Sequence, residues 1–224
     1  RNMKCYKKFN KKLIIIFEDD NIIVINKGAN LLSHCTNSNN NNSVVSLLNS
    51  ENIKLYNADD PLRDGIVHRL DKDTTGLMVL AKNTISYENL IRQFRKREVL
   101  KIYKAYCWGI PMPLAGVIRN PISDYLNRKK ARAGKIGKEA ITEYKVIQSY
   151  GNYFSQLECK ILTGRTHQIR VHMQSIKCPI IGDQLYARDR NLSKKFSNKL
   201  KQFFFDFKRQ ALHSESLSFK HPVD

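Results

Sequence analysis

Nothing in the 224-residue sequence approaches the roughly 18 consecutive apolar residues of a membrane-spanning helix. The longest apolar run near its start, Leu13-Ile14-Ile15-Ile16-Phe17, is too short to span a bilayer and has no cleavage pattern beside it. Cysteine is sparse and odd in number: Cys5, Cys35, Cys107, Cys159 and Cys178, with no C-x-x-C pair. Such scattered thiols argue against a disulfide framework or a structural zinc site, and imply a reduced, intracellular protein. G-x-S-x-G, H-E-x-x-H, Walker A and G-x-G-x-x-G signatures are all missing, so no cofactor, metal or nucleotide is expected. Acidic residues are also few. Asp and Glu number 20 against 39 Lys and Arg, a formal net charge of +19. This excludes an acidic solvating protein and favours a polyanionic partner.

The charge is uneven. Residues 1–112 carry 18 basic and 11 acidic residues (+7), and residues 113–224 carry 21 and 9 (+12). Clusters lie at Lys4–Lys12, Arg128–Lys138 and Arg188–Lys201. A Lys- and Asn-favouring composition, visible in the tract at 37–42, explains some of the excess but not its placement. Charge alone does not separate RNA, DNA and anionic membrane.

Periodicity outlines a mixed chain. Leu13–Phe17 and Ile22–Ile25 read as a β-hairpin, and Val44–Leu48 as a short helix. Gly76–Ala81 is a continuous apolar run, as in a buried strand. Thr84 is the expected N-cap of a helix carrying Tyr87, Leu90, Ile91 and Phe94 on one face. Val99–Trp108, Ala140–Ile147, Phe154–Leu162 and Ala211–Phe219 read as strands. Thr166 is expected to cap a helix with Ile169, Met173 and Ile176 inward, and Lys194–Phe205 reads as a basic helix. The sum is an α/β (α+β) chain in which sequential strands favour an antiparallel or mixed sheet.

Two segments concentrate chemically capable residues. Gly65 to Gly76 places His68, Arg69, Asp71 and Asp73 at the mouth of the apolar run, which suits either an active-site edge or an ordinary polar loop with a local ion pair. Leu162 to His172 places Arg165 just before a helix N-terminus, an anion-attracting position. Taken alone, the segment reads first as a surface amphipathic helix. His167 and His172 lie about 140° apart around a helix and so cannot share a metal as an i, i+4 pair would.

GIVHRLDKDTTGLMVLAK at 65–82 resembles the catalytic motif of the RluA-type pseudouridine synthases. IIFEDDNIIVINKGANLLSH at 15–34, REVLKIYKAYCWG at 97–109, GKEAITEYKVI at 137–147, LTGRTHQIRVH at 162–172, IIGDQLYA at 180–187 and RQALHSESLSFKHP at 209–222 resemble further blocks of that family, in family order. The resemblance covers residues 13–222.

It implies a pseudouridine synthase fold: a curved, mainly antiparallel sheet with flanking helices and a central RNA-binding cleft. It also implies isomerisation of uridine in structured ribosomal or transfer RNA, in which the bond from ribose C1′ to N1 is exchanged for one to C5, with no cofactor. Asp71 falls on the family's catalytic aspartate, which attacks or stabilises the sugar carbon. Arg165 falls on the arginine that pairs with and orients it. Tyr103 falls on the tyrosine that stacks on the uracil and handles a proton. Arg69 falls on the residue that enters the RNA stack when the target base leaves it. The four are expected to converge. His68 is expected to contact RNA or support the loop, Lys129, Lys130 and Arg132 to hold phosphates, and Ile161 and Leu162 to wall the uracil. Thr75 stands where Ser is usual and Ala187 where Gly is common.

The expected organisation is a basic extension at 1–12 and a catalytic domain at 13–224, with insertions near 37–42 and 188–208. The S4 RNA-binding module of many relatives is not expected in this sequence. The expected partner is RNA and not a membrane, the expected state monomeric, and the expected compartment the cytoplasm or an organelle such as a mitochondrion or plastid. Two competing readings are a catalytically silent RNA-binding or ribosome-assembly protein on the same fold, and a nuclease using His and Asp. Intact Asp71, Tyr103 and Arg165 argue against the first. The lack of a two-carboxylate metal site or paired catalytic histidines argues against the second.

Overall fold

A computed structural model describes residues 7–10, 13–35, 42–125, 130–187 and 196–223. The chain forms two compact units, one of Arg1–Leu100 with Ser214–Asp224 and one of Lys101–His213. Lys129, the Asn tract at 37–41, most of the basic start and residues 188–195 lie outside the described residues.

The first unit opens on an antiparallel meander: β1 (Lys7–Asn10), β2 (Leu13–Glu18), β3 (Ile22–Lys27) and, later in the chain, β4 (Thr75–Ala81). The β2–β3 turn is closed by Asp19, whose Oδ1 accepts from the N–H groups of Asn21 and Ile22, both at 2.8 Å. Met78 to Ala81 are fully buried, which explains why β4 reads as an unbroken apolar run rather than an alternating one. Gly76 has a φ of 115°, and a Cβ there would collide with the Ser214 backbone, so only glycine admits that close approach. Ser214 lies on the last strand of the chain, Leu212–Ser218, and its Oγ donates to the Leu77 carbonyl.

Two helices belong to this unit. α1 (Val44–Ser50) begins with a capping box between Ser43 and Ser46. α2 (Thr84–Arg95) is capped by Asn83, not by Thr84 as the sequence suggested. The Asn83 Oδ1 accepts from Ser86 N–H, while its Nδ2 donates to Asn21 Oδ1 and Asp20 O, tying the cap to the β2–β3 turn. Leu90, Tyr87, Ile91 and Phe94 of α2 pack with Ile22, Val67, Val79 and Ala81, the amphipathic face expected from their spacing.

In the second unit, β5 (Leu100–Trp108) pairs with β10 (Phe154–Ile161), β10 with β9 (Thr142–Tyr150), and β9 with β6 (Ala115–Ile118), all antiparallel. A separate hairpin joins β7 (Ile122–Tyr125) to β8 (Lys130–Ala133). α3 (Gln168–Ser175) packs Val171 with Ile122, Ala131, Ala140 and Tyr186. Residues 168–173 are all buried, so α3 is a core helix and not the surface amphipathic helix its pattern allowed. Ile176 lies just past its end and is half-buried. The N-cap is His167, in the left-handed conformation (φ 55°) with no side-chain cap bond, rather than Thr166. The basic helix α4 (Asn198–Asp206) starts later than expected because Ser197 caps it, its hydroxyl accepting from Leu200 N–H. The final strand, Leu212–Ser218, is β11. The overall class is thus mixed α and β, and each strand pairing described above is antiparallel.

Candidate active site

In the first unit, Asp71 sits on a short irregular segment between Gly65 and β4. Its neighbours on either side are held by backbone contacts. Ser33 Oγ accepts from Leu70 N–H at 3.0 Å and donates to Leu70 O at 2.8 Å. Lys72 O accepts from Lys27 Nζ at 3.0 Å and from Leu31 N–H at 3.2 Å. Lys27 is fully buried, and its ammonium also donates to the carbonyls of Gly28 and Leu31, so a buried charge is spread over three backbone dipoles. Asp73 Oδ1 accepts from Asn30 N–H, and Thr74 N–H donates to Asp71 O. The turn bearing Asp71 is therefore fixed at positions 70, 72, 73 and 74, while Asp71 itself stays partly exposed.

Arg69 is exposed on the same segment. His68 is half-buried, stacked on Phe94 at 4.7 Å, and its Nε2 accepts from Val79 N–H at 3.0 Å. These contacts tie His68 to β4 and α2. His34, beside Ser33, is buried; burial, then the Arg69 and Arg63 cations, hold it below the ordinary histidine value of 6.5.

In the second unit, Tyr103 lies on β5 opposite Cys159 of β10 and is buried. Ile161 ends β10 and is buried, and Leu162 follows it half-buried. Arg165 is half-buried. Its Nε donates to Glu139 O at 2.9 Å and its backbone N–H to Gln168 Oε1 at 3.1 Å. The Gln168 amide locks this turn further: Oε1 accepts from Thr163 Oγ1 at 2.7 Å, and Nε2 donates to Ile141 O and Thr142 Oγ1. Arg165 lines a concavity of about 390 Å³ with Gly164, Thr166, Lys138 and Ile122. Lys130 is half-buried and Arg132 exposed on β8, with the Lys130 ammonium 5.8 Å from the Tyr186 ring.

Behind the Arg165 turn, Arg170 and Asp183 form a buried bidentate pair at 2.7 and 3.0 Å. Asp183 Oδ1 also accepts from the N–H groups of Leu185 and Tyr186, so its charge is compensated on several sides. The Tyr186 hydroxyl accepts from Ala131 N–H and bonds His167 Nδ1, joining β8 to the start of α3. His172 bonds Thr142 Oγ1 through Nδ1 and Asn120 O through Nε2, and burial lowers its pKa from 6.5. The two histidines of this segment thus have separate structural partners. Among the described residues, no group of three or more His, Cys, Asp or Glu side chains is placed to hold a metal ion, and no helix is long and apolar enough to cross a membrane. Buried Cys159 is pushed up to about 12, first by burial and then by Glu158, and burial likewise pushes the Cys107 thiol up, away from thiolate chemistry.

A family model described as RNA pseudouridylate synthase matches residues 21–175. The chain belongs to that family. It is 40% identical over 218 residues to ribosomal large subunit pseudouridine synthase D of Haemophilus influenzae, covering 96% of this chain and 65% of that protein. It is 41% identical over 219 residues to the protein of the same name from Pasteurella multocida, again covering 96% and 65%. The chain thus spans just under two thirds of these relatives. Among solved structures, human RNA pseudouridylate synthase domain containing 4 matches with a TM-score of 0.68 and 30% identity over 91% of this chain and 82% of that one. Human RNA pseudouridylate synthase domain containing 1 shares the fold, with a TM-score of 0.74 at 21% identity, over 97% and 82%. The family match spans Arg69, Asp71, Tyr103 and Arg165, and α4 lies outside it. Ser33, Lys27, Gln168, Arg170 and Asp183 escaped sequence reasoning because their partners are remote or are backbone atoms, which leave no local pattern.

Proposed function

We propose that the chain is an RNA pseudouridine synthase that isomerises uridine in structured RNA, with ribosomal RNA as its substrate. Family membership carries this reading, and the names of the bacterial relatives favour ribosomal over transfer RNA. In the reaction the bond from C1′ to N1 breaks, the uracil turns, and C1′ bonds to C5; the proton leaves C5 and N1 regains one. No atom is added or lost. Asp71 supplies the carboxylate at the sugar carbon, on a turn whose backbone is pinned on both sides. Arg165 orients that carboxylate. Tyr103 stacks on the base and moves the proton. Arg69 fills the gap left by the flipped nucleotide, a physical requirement because C5 and C1′ are unreachable inside a stacked helix. His68 supports the loop, Lys129, Lys130 and Arg132 hold phosphates, and Ile161 and Leu162 wall the uracil.

Incubation with ribosomal RNA, followed by site-resolved pseudouridine detection, tests the reading. The parent should form pseudouridine, and Asp71→Asn should form none while still binding RNA. Retained RNA binding with no product on any ribosomal or transfer RNA would favour the silent binding protein instead.

A further inference from the structure

The sequence Phe203-Phe204-Phe205 on α4 puts three rings in consecutive positions, each about 100° further around the helix. Among the described residues, the middle one packs against the core and is half-buried. Phe204 packs with Leu200, Phe207 and Phe196 around Trp108 and Ile181. Phe203 and Phe205 are left 57% and 65% exposed.

Phe203 ends an ordered column. The Arg209 guanidinium lies 5.1 Å from the Phe207 ring, and Phe207 stacks on Phe203 at 5.9 Å with an interplanar angle of 22°. Gly182 makes room for the base of this column: its φ is 75°, and a Cβ there would collide with Phe207 and with Arg209 O. The column is thus anchored at its base and exposed at the Phe203 ring. The surrounding charge is cationic. Residues 198–209 contain Lys199, Lys201, Lys208 and Arg209 against Asp206 alone, and the Lys208 ammonium sits 4.0 Å from the Phe205 ring.

We propose that the Phe203 face of α4 is an RNA contact outside the catalytic region, in which an unpaired base stacks on Phe203 and Lys199, one turn earlier on the same face, neutralises a flanking phosphate. Aromatic rings set among cations suit single-stranded nucleic acid, whose bases have π-faces and whose backbone is anionic. An apolar protein partner would have to bury those cations unpaired. Binding at α4 requires no turnover, so it is separable from the isomerase reading.

The test uses the full chain and fluorescence anisotropy with a labelled single-stranded oligouridine and a duplex of equal length. Phe203→Ala should weaken single-strand binding about five-fold or more and duplex binding less, while Phe203→Trp retains the parent affinity. Lys199→Gln should reduce the slope of the salt dependence by about one. Circular dichroism melting confirms that each variant is folded. The proposal is overturned if the parent does not bind single strands, if Phe203→Ala binds them as the parent does, or if Phe203→Trp loses as much as Phe203→Ala. Parent-like RNA binding by Phe203→Ala with an altered mass on gel filtration would assign the face to protein contact, and would overturn it too.

Discussion

Ser33 holds Leu70 by both of its backbone groups, accepting from the N–H at 3.0 Å and donating to the carbonyl at 2.8 Å across 37 residues of sequence. Both residues are buried, and Asp71 is the next residue along. Ser33→Ala would leave two buried backbone groups without their partner. It should cost about 1–3 kcal/mol of stability by denaturant titration. It should also lower pseudouridine formation below what the loss of folded protein explains, because the turn carrying Asp71 loses its upstream anchor. Unchanged activity per folded molecule would show that the turn is held adequately by Lys72, Asp73 and Thr74.

The proposed roles of Tyr103 and Arg165 separate binding from chemistry. Tyr103→Phe keeps the ring and removes the hydroxyl, so RNA affinity should persist while turnover falls about 10²-fold or more. Arg165→Ala should likewise abolish turnover with RNA binding largely intact. Equal loss of binding and turnover in Arg165→Ala would move that residue from the chemistry to simple phosphate attraction.

Arg170 and Asp183 are a case where removing one partner is worse than never having the pair. Arg170→Ala removes the bidentate cation from the buried Asp183 carboxylate, which among the described residues keeps the Leu185 and Tyr186 N–H groups, and should cost about 3–5 kcal/mol. Arg170→Lys loses the fork geometry and should fall between parent and Ala. Thermal melting orders the three proteins; an Ala variant as stable as the parent would mean the site admits water without cost.

His34 and His172 give stability a pH dependence. Burial depresses both below 6.5 in the folded chain, so the unfolded chain binds more protons in the window beneath that value. Their contribution is fully present above pH 6.5 and is lost as pH falls below it. The melting temperature should therefore drop between pH 7.5 and 5.5, and His172→Asn should show a shallower drop. A profile equally steep in His172→Asn would assign the effect to other groups.

Much of this was readable from local pattern. The β2–β3 hairpin, the unbroken run of β4, the inner face of α2 and the strands β5, β9, β10 and β11 follow from periodicities of two and 3.6 residues, which report burial directly. Cap positions were less legible. Asn83 caps α2 in place of Thr84 because its side chain also reaches Asn21 and Asp20, and His167 begins α3 because its left-handed backbone redirects the chain. Neither cause lies in the immediate sequence.

The sequence by itself determined the family, the charge and the candidates Asp71, Tyr103, Arg165 and Arg69, because motif identity and ordered spacing survive without any geometry. Tertiary structure alone decided what holds them: the Lys27 ammonium on three carbonyls, Ser33 on Leu70, Gln168 on the Arg165 turn, and Arg170 with Asp183 behind it. It also decided that Phe203 ends an exposed aromatic column while its neighbour Phe204, half-buried, packs against the core. The reason is the same in each case. These are contacts to backbone atoms or between distant residues, and their energy depends on desolvation and on angle, neither of which is written in the order of the amino acids.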